Sequence, residues 1–374
     1  MTKMLTNSLT KKLRRIAAFL LIIAITIPSS GCWSRRELED LAFVLAMGVE
    51  ENDNGIKILA HIGQEGGGDM EDEEGEGALV IEGEGKTISD AFDNLFSKTN
   101  KRPYLNHLKV IVLSEELARE GIEPIMDFFR RDIRVRGNTT VMIAKEDSLE
   151  EVLEFEPELG TQPALLLEET FRYNWERSRA YKKDFFEVVT DILEEDRELF
   201  LPMVDVSEEE QLIISDTAVF RGYEMVEVLN NKQNLGLMYL RQQVRHGTLT
   251  LEVDEEEFVS LTILGTDVEI TPVEVEGQLT FQIEIDQTLS ITESHTEMDI
   301  DELEDLASRF IQLTVLDTIN IAKKAETDFL GFGTLYRRTN RQQWSAQKWQ
   351  EQFPQIEVII DVETNIESTG QITA

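Results

Sequence analysis

Cysteine occurs once in 374 residues, at Cys32. One thiol excludes an intramolecular disulfide and any zinc site built on several thiolates. Histidine is almost as scarce. His61, His107, His246 and His295 lie far apart and form no H-x-x-x-H or H-E-x-x-H pattern, which removes the helical zinc-enzyme motifs. No G-x-S-x-G stretch marks a nucleophile elbow. Cations are outnumbered two to one, 36 against 73 acids, for a formal net charge of -37. Phosphate binding needs clustered Lys and Arg, so nucleic acid is excluded as a partner. Adsorption of the whole body to an anionic membrane is excluded for the same reason. The acid excess does not imply disorder, because 41% of residues are hydrophobic and 18 are Phe, enough to fill real cores. The length suits two or three domains.

What is present starts at the amino terminus. The first 31 residues hold five cations, Lys3, Lys11, Lys12, Arg14 and Arg15, and no acid. The remainder therefore carries 31 cations against 73 acids, a net of -42. An apolar run from Ile16 to Ile27 follows the basic stretch, and then Pro28, Ser29, Ser30 and Gly31 lead to Cys32. Twelve residues at 1.5 Å rise cover about 18 Å, short of the roughly 30 Å hydrocarbon core. This is the pattern of a secretion signal rather than of a permanent span. Small residues directly before a lone cysteine resemble a bacterial lipobox, with Ser29 where Leu is usual. That resemblance implies cleavage between Gly31 and Cys32 and lipid on the Cys32 thiol. Two or three acyl chains, at about 0.8 kcal/mol per buried methylene, give stable anchoring where one is marginal.

Along the rest of the chain, the apolar run Ala42 to Val49 and the alternation Ile56, Ile58, Ala60, Ile62 predict a hairpin. Residues 64–77 contain five Gly and seven acids and read as a solvated loop. An EF-hand register fails there, because the sixth position from Asp69 is Glu74 rather than Gly. Gly83-Glu84-Gly85-Lys86-Thr87 suggests a nucleotide loop, but Val80 stands where the first glycine belongs. Thr87 with Asp90 instead forms a capping-box variant ahead of the stripe Ile88, Ala91, Phe92, Leu95, Phe96. A strand at 109–113, helices stopped by Gly121 and started by Pro124, and a strand at 139–144 make a βαβ-type unit. Ser148 and Glu151 repeat the capping pattern, residues 164–200 read as helical, and Pro202 with the acidic run Glu208 to Glu210 marks a boundary. From Leu212 the texture is strands, the cleanest being Leu279, Phe281, Ile283, Ile285 with a polar opposite face. A long amphipathic helix follows over 299–324, with Leu303, Leu306, Phe310 and Leu313 as its stripe, and a last strand shows Ile356, Val358, Ile360, Val362 on one face.

These residues resemble the Ger(x)C lipoproteins, the C subunits of bacterial spore germinant receptors. Gly31-Cys32-Trp33-Ser34-Arg35-Arg36-Glu37-Leu38 is similar to the family opening, with Ser34 in place of the usual Asp. His107 to Ser114 with Gly121 and Arg131-Asp132, then Thr217-Ala218-Val219-Phe220, resemble two internal stretches. Asp328-Phe329-Leu330-Gly331-Phe332-Gly333 is similar to the family's D-x-x-G-F-G motif, with Trp344, Trp349, Phe353 and Pro354 at matching spacing. The resemblance implies an α/β (α+β) ectodomain of three domains, with mixed and antiparallel sheets and packed helices behind a lipoprotein signal peptide. Its expected divisions are a signal at 1–31, an N-terminal α/β domain at 32–205, a middle β-rich domain at 206–262 and a C-terminal α+β domain at 263–374. It further implies anchoring to the outer face of the spore inner membrane, partnership with a membrane A subunit and a polytopic B subunit, no enzymatic activity, and no cofactor besides the lipid on Cys32. A solute-binding lipoprotein of a transporter is the alternative reading, and direct germinant binding stays open.

Candidate contact residues follow from charge. In so acidic a chain, Arg130, Arg131, Arg134 and Arg136 form one basic island and Arg337, Arg338 and Arg341 another. They serve either intramolecular pairing or contact with a partner or membrane, with Arg131 and Arg338 as test positions. Arg35 and Arg36 follow the anchor directly, where each cation near anionic headgroups adds about 1 kcal/mol. Gly331-Phe332-Gly333 reads as a helix break with a core Phe or as a docking turn, and the tryptophans read as core or as interface anchors.

Overall fold

The structure is a computed structural model that describes residues 14–19, 40–63, 79–132, 134–155, 162–209, 211–254, 257–294 and 298–368. The chain divides into two units, 1–41 and 42–374. In the first, residues 14–19 form a short exposed helix, α1. Among the described residues no helix is long and apolar enough to cross a membrane.

The second unit opens on the expected hairpin. β1 (Leu41–Asn52) pairs antiparallel with β2 (Gly55–Gly63), and β3 (Leu79–Gly85) adds outside β2. α2 (Ile88–Ser97) lies directly on this edge, because a Cβ at Gly83 would stand 2.4 Å from Leu95 Cβ. The glycines of the G-E-G-K-T stretch thus serve helix packing. Thr87 caps α2 by accepting from the Asp90 N–H at 3.2 Å, while the Asp90 carboxylate accepts from the Lys86 N–H at 3.1 Å. β4 (Arg102–Tyr104) pairs with β1. β5 (Val110–Ser114), α3 (Glu115–Glu120), α4 (Glu123–Arg131) and β6 (Thr140–Ala144) form the predicted parallel crossover.

α5 (Leu149–Glu154) stands where Val152 and Leu153 follow Ser148. The predicted helix over 164–200 is instead two helices, α6 (Pro163–Glu176) and α7 (Phe185–Leu193), with the strand β7 (Phe200–Val206) behind them, so the helical reading is correct only in pieces. The cause is packing. Leu167 and Phe171 of α6 fill the core on one face of the sheet, and Phe185 and Val188 of α7 fill the core on the other. One straight helix cannot reach both faces, and the chain breaks at Ser178 with φ +58. Ser148 also departs from expectation. Its hydroxyl donates to the Lys145 carbonyl at 2.9 Å and does not cap α5. Pro202 itself sits inside β7, at an irregularity in the pairing with β8, where a missing N–H is tolerated.

β8 (Leu212–Arg221) and β9 (Glu224–Leu229) complete the first sheet, whose order is β3-β2-β1-β5-β6-β7-β8-β9. After α8 (Asn231–Leu240), β10 (Thr248–Asp254), β11 (Glu257–Val275), β12 (Gln278–Ser294) and β13 (Glu357–Ser368) form a second, four-stranded sheet in that order. The segment 206–262 therefore contributes to both sheets. β13 joins β12 in parallel, after α9 (Ile300–Lys324), α10 (Phe332–Thr339) and α11 (Ala346–Gln352) have crossed one face. The architecture is α+β with mixed sheets. One core unites β12, α8, α9, α10 and α11 with Phe200 and Val219 of the first sheet.

The stripe predicted on α9 is rotated. Leu303, Ala307, Ile311, Thr314, Val315, Thr318, Ile319 and Ala322 are buried, whereas Leu313 is 52% exposed. The small residues win because α8 approaches closely there, with Gly236 facing Thr314 and Thr318.

Candidate functional site

Gly31, Cys32, Arg35 and Arg36 lie outside the described residues. Of the two basic islands, the first is largely ion-paired and the second is paired through Arg337. Arg130 and Arg131 both donate to Asp127, at 2.6 and 2.7 Å, which holds the Asp127 carboxyl below its ordinary range. Arg134 donates to Asp132 through Nε at 2.8 Å. Arg337 donates to Asp196 at 2.7 Å and lies over the Trp344 ring. Arg338 is exposed on α10. Arg131 keeps 73% of its side chain in solvent, so ion pairing and partner contact remain compatible there.

The D-x-x-G-F-G motif builds the most polar buried junction. Asp328 follows the last turn of α9 and is 6% exposed. Its carboxylate accepts from the N–H groups of Gly331, Phe332 and Gly333, at 3.0, 3.1 and 2.5 Å, and from Trp349 Nε1 at 3.0 Å. Burial pushes its pKa up to about 6 against the pull of these donors and of Arg241. Gly331 takes φ +87 at the cap of α10, a conformation that suits glycine. A Cβ at Gly333 would stand 2.6 Å from Trp349 Nε1. Phe332 stacks on Phe281 of β12 with centroids 4.5 Å apart. The turn is therefore a core staple rather than an open docking loop, and Trp349 and Phe353 are buried with it.

The surroundings tie both sheets to this junction. Arg241 Nε donates to the Phe329 carbonyl at 3.0 Å, Thr327 Oγ1 to the Phe220 carbonyl at 2.8 Å, and Thr334 Oγ1 to the Asp196 carbonyl at 3.1 Å. Sequence reasoning missed Arg241 and Asp196, because their partners lie 88 and 141 residues away.

A second concavity opens at the carboxyl ends of β1, β5 and β6. It measures about 430 Å³ and is lined by Glu50, Glu51, Glu115, Glu120 and Glu146 with Lys145. α3 packs on one face of the sheet and α5 on the other, so the crevice lies where successive connections diverge. Glu51 and Glu120 hydrogen-bond through their carboxyls, which raises Glu51. Among the described residues no group of three His, Cys, Asp or Glu side chains is arranged to hold a metal ion.

Comparison with known proteins decides what this architecture belongs to. Residues 34–206 match the family described as "Spore germination protein N-terminal domain", and residues 215–370 match "Spore germination B3/ GerAC like, C-terminal". The chain belongs to the Ger(x)C family of spore germination proteins. Among its relatives, "Spore germination protein KC" of Bacillus subtilis (strain 168) is 22% identical over 394 residues, covering 95% of each chain. "Spore germination protein B3" of the same organism is 27% identical over 138 residues, 36% of each chain. Among solved structures, "Crystal Structure of the GerBC protein" matches with a TM-score of 0.55 at 17% identity, covering 87% of this chain and 98% of that one. The Ger(x)C fold thus extends over the described body.

Proposed function

We propose that this Ger(x)C protein is the lipid-anchored C subunit of a nutrient germinant receptor, a non-enzymatic component that assembles with the membrane A and B subunits. The observation that carries this reading is the relation to a spore germination protein over 95% of each chain, combined with Gly31-Cys32-Trp33 directly before the region that matches the family. The acidic body supports an anchor of this kind. With a net of -42 after residue 31, general attraction to anionic lipid is unfavourable, and acyl chains on Cys32 supply the membrane residence that charge does not. The interior supports a binding and scaffolding role. Its strongest polar arrangement, around Asp328, is consumed by structural hydrogen bonds.

The test is Cys32→Ala in the spore. Inner-membrane fractions should lose the protein, the A and B subunits should no longer co-purify with it, and germination with nutrient should fall. Normal nutrient germination with the protein absent from the inner membrane would overturn the receptor reading. Failure of metabolic lipid labelling alone would overturn only the anchor.

A further inference from the structure

The two edges of the four-stranded sheet are treated differently. Along β13, α9 reaches over and occupies outward backbone groups. Lys323 Nζ donates to the Ile356 carbonyl at 2.6 Å, Gln312 Nε2 donates to the Ile360 carbonyl at 2.9 Å, and Glu304 Oε1 accepts from the Ile366 N–H at 2.7 Å. Such plugging is how proteins blunt an edge that invites strand pairing. The opposite edge is different. β10 pairs β11 only over Glu257–Thr262, and the Ile263 N–H is taken by the Gly247 carbonyl. From Thr266 to Thr271, β11 has β12 on one side and, among the described residues, no strand on the other. Among the described residues no side chain bonds the outward backbone of this run. Pro272, which carries no N–H, ends it.

The exposed face beside this open run carries charge of one sign, in register. Asp267 pairs across Asp286, and Asp286 across Glu363; one step along, Glu269 pairs across Glu284, and Glu284 across Asp361. All six carboxylates are exposed, and none is ion-paired among the described residues. Like charges directly opposite each other destabilise a sheet. Glu284 accepts from Gln282 Nε2 at 2.7 Å, a neutral donor that leaves the row's charge in place. On the other face of the same run, Val268 and Ile270 are 9% and 8% exposed and belong to the core.

We propose that the Thr266–Thr271 edge of β11 is a docking site for an extended partner segment carrying basic residues at alternate positions. The open backbone supplies the hydrogen-bonding template. A strand added about 4.8 Å away places alternate side chains in line with Asp267 and Glu269, extending both carboxylate rows with cations. The intervening side chains fall on the inner face beside Val268 and Ile270 and are apolar for that reason. A second copy of this chain does not fit, because pairing β11 with itself sets acid against acid.

The test uses the full chain and a fluorescein-labelled peptide of four Lys-Val repeats, read by anisotropy at physiological salt. Saturable binding is expected, with slowed amide exchange over Thr266–Thr271. The double reversal Asp267→Lys, Glu269→Lys should weaken it about tenfold or more, whereas Asp361→Lys, Glu363→Lys, two strands away and near the screening length, should change it by less than about twofold. The same peptide N-methylated along its length should not bind, a result that needs no variant to fold. Absence of Lys-Val binding, equal loss in both reversals, or retained binding of the N-methylated peptide would each overturn strand addition, the last two in favour of unspecific attraction to acid.

Discussion

His61 sits on β2 between Ala46 and Val80, buried to 1% exposure, with neither ring nitrogen hydrogen-bonded among the described residues. Burial holds its pKa down to about 4. A group whose folded pKa lies below the unfolded value of 6.5 contributes stability above that value and loses it as pH falls toward 4. The loss from this residue alone reaches up to about 3 kcal/mol. His61→Leu removes the titration and two unsatisfied nitrogens, so the variant should unfold at higher urea than the parent at pH 5, with the difference shrinking at pH 8. A parent whose stability is flat between pH 7 and 4.5 would contradict the assignment. Asp328 is the opposite case, a buried polar group with every neighbour satisfied. Its role was visible in sequence only as an acid three residues before Gly331, because the Trp349 donor arrives from 21 residues away.

At the scale of elements, the close approach of α8 and α9 is the contact most sensitive to volume. A Cβ at Gly236 would stand 2.2 Å from Thr318 Oγ1 and 2.8 Å from the Thr314 carbonyl. Alanine raises helix propensity by about 1 kcal/mol, but overpacking here costs about 1–3 kcal/mol or more. The Thr318 hydroxyl also has no room to yield without breaking its bond to the Gln233 carbonyl at 2.9 Å. Gly236→Ala should therefore lower the unfolding midpoint, and an unchanged or raised midpoint would contradict the packing. On the neighbouring helix, Leu313→Gln should cost less than about 0.5 kcal/mol, whereas Ile311→Ala should cost about 2–4 kcal/mol, as measured by urea denaturation. The hydrophobic pattern favoured Leu313 over Thr314, and only the shape of α8 reverses that order.

For the whole molecule, charge dominates. A net of -42 after residue 31 repels itself in the compact state, and salt screens that repulsion. The unfolding midpoint in urea should rise steadily from low ionic strength to 1 M NaCl, as expected of a fold whose stability is limited by its own charge. No loss of stability on removing salt would end that reading. The carboxylate rows on the second sheet are a local example, and reversal at Glu284, in the middle of its row, should itself reduce the salt dependence.

The sequence by itself determined the periods: the hairpin at β1 and β2, the parallel crossover from β5 to β6, the alternation of β12 and β13, and the cap at Thr87. These rest on neighbours within a few residues, where propensity and pattern act directly. It also supplied the family, because ordered short motifs survive at low identity. Tertiary structure decided what depends on distant partners. It split 164–200 into helices on opposite faces of a sheet and placed Pro202 inside a strand. It turned α9 toward its small residues, joined Asp328 to Trp349 and Arg241, and set three acids side by side across β11, β12 and β13. A linear pattern reports which residues share a face of one element; only the packed fold reports which face is covered and which edge is left open.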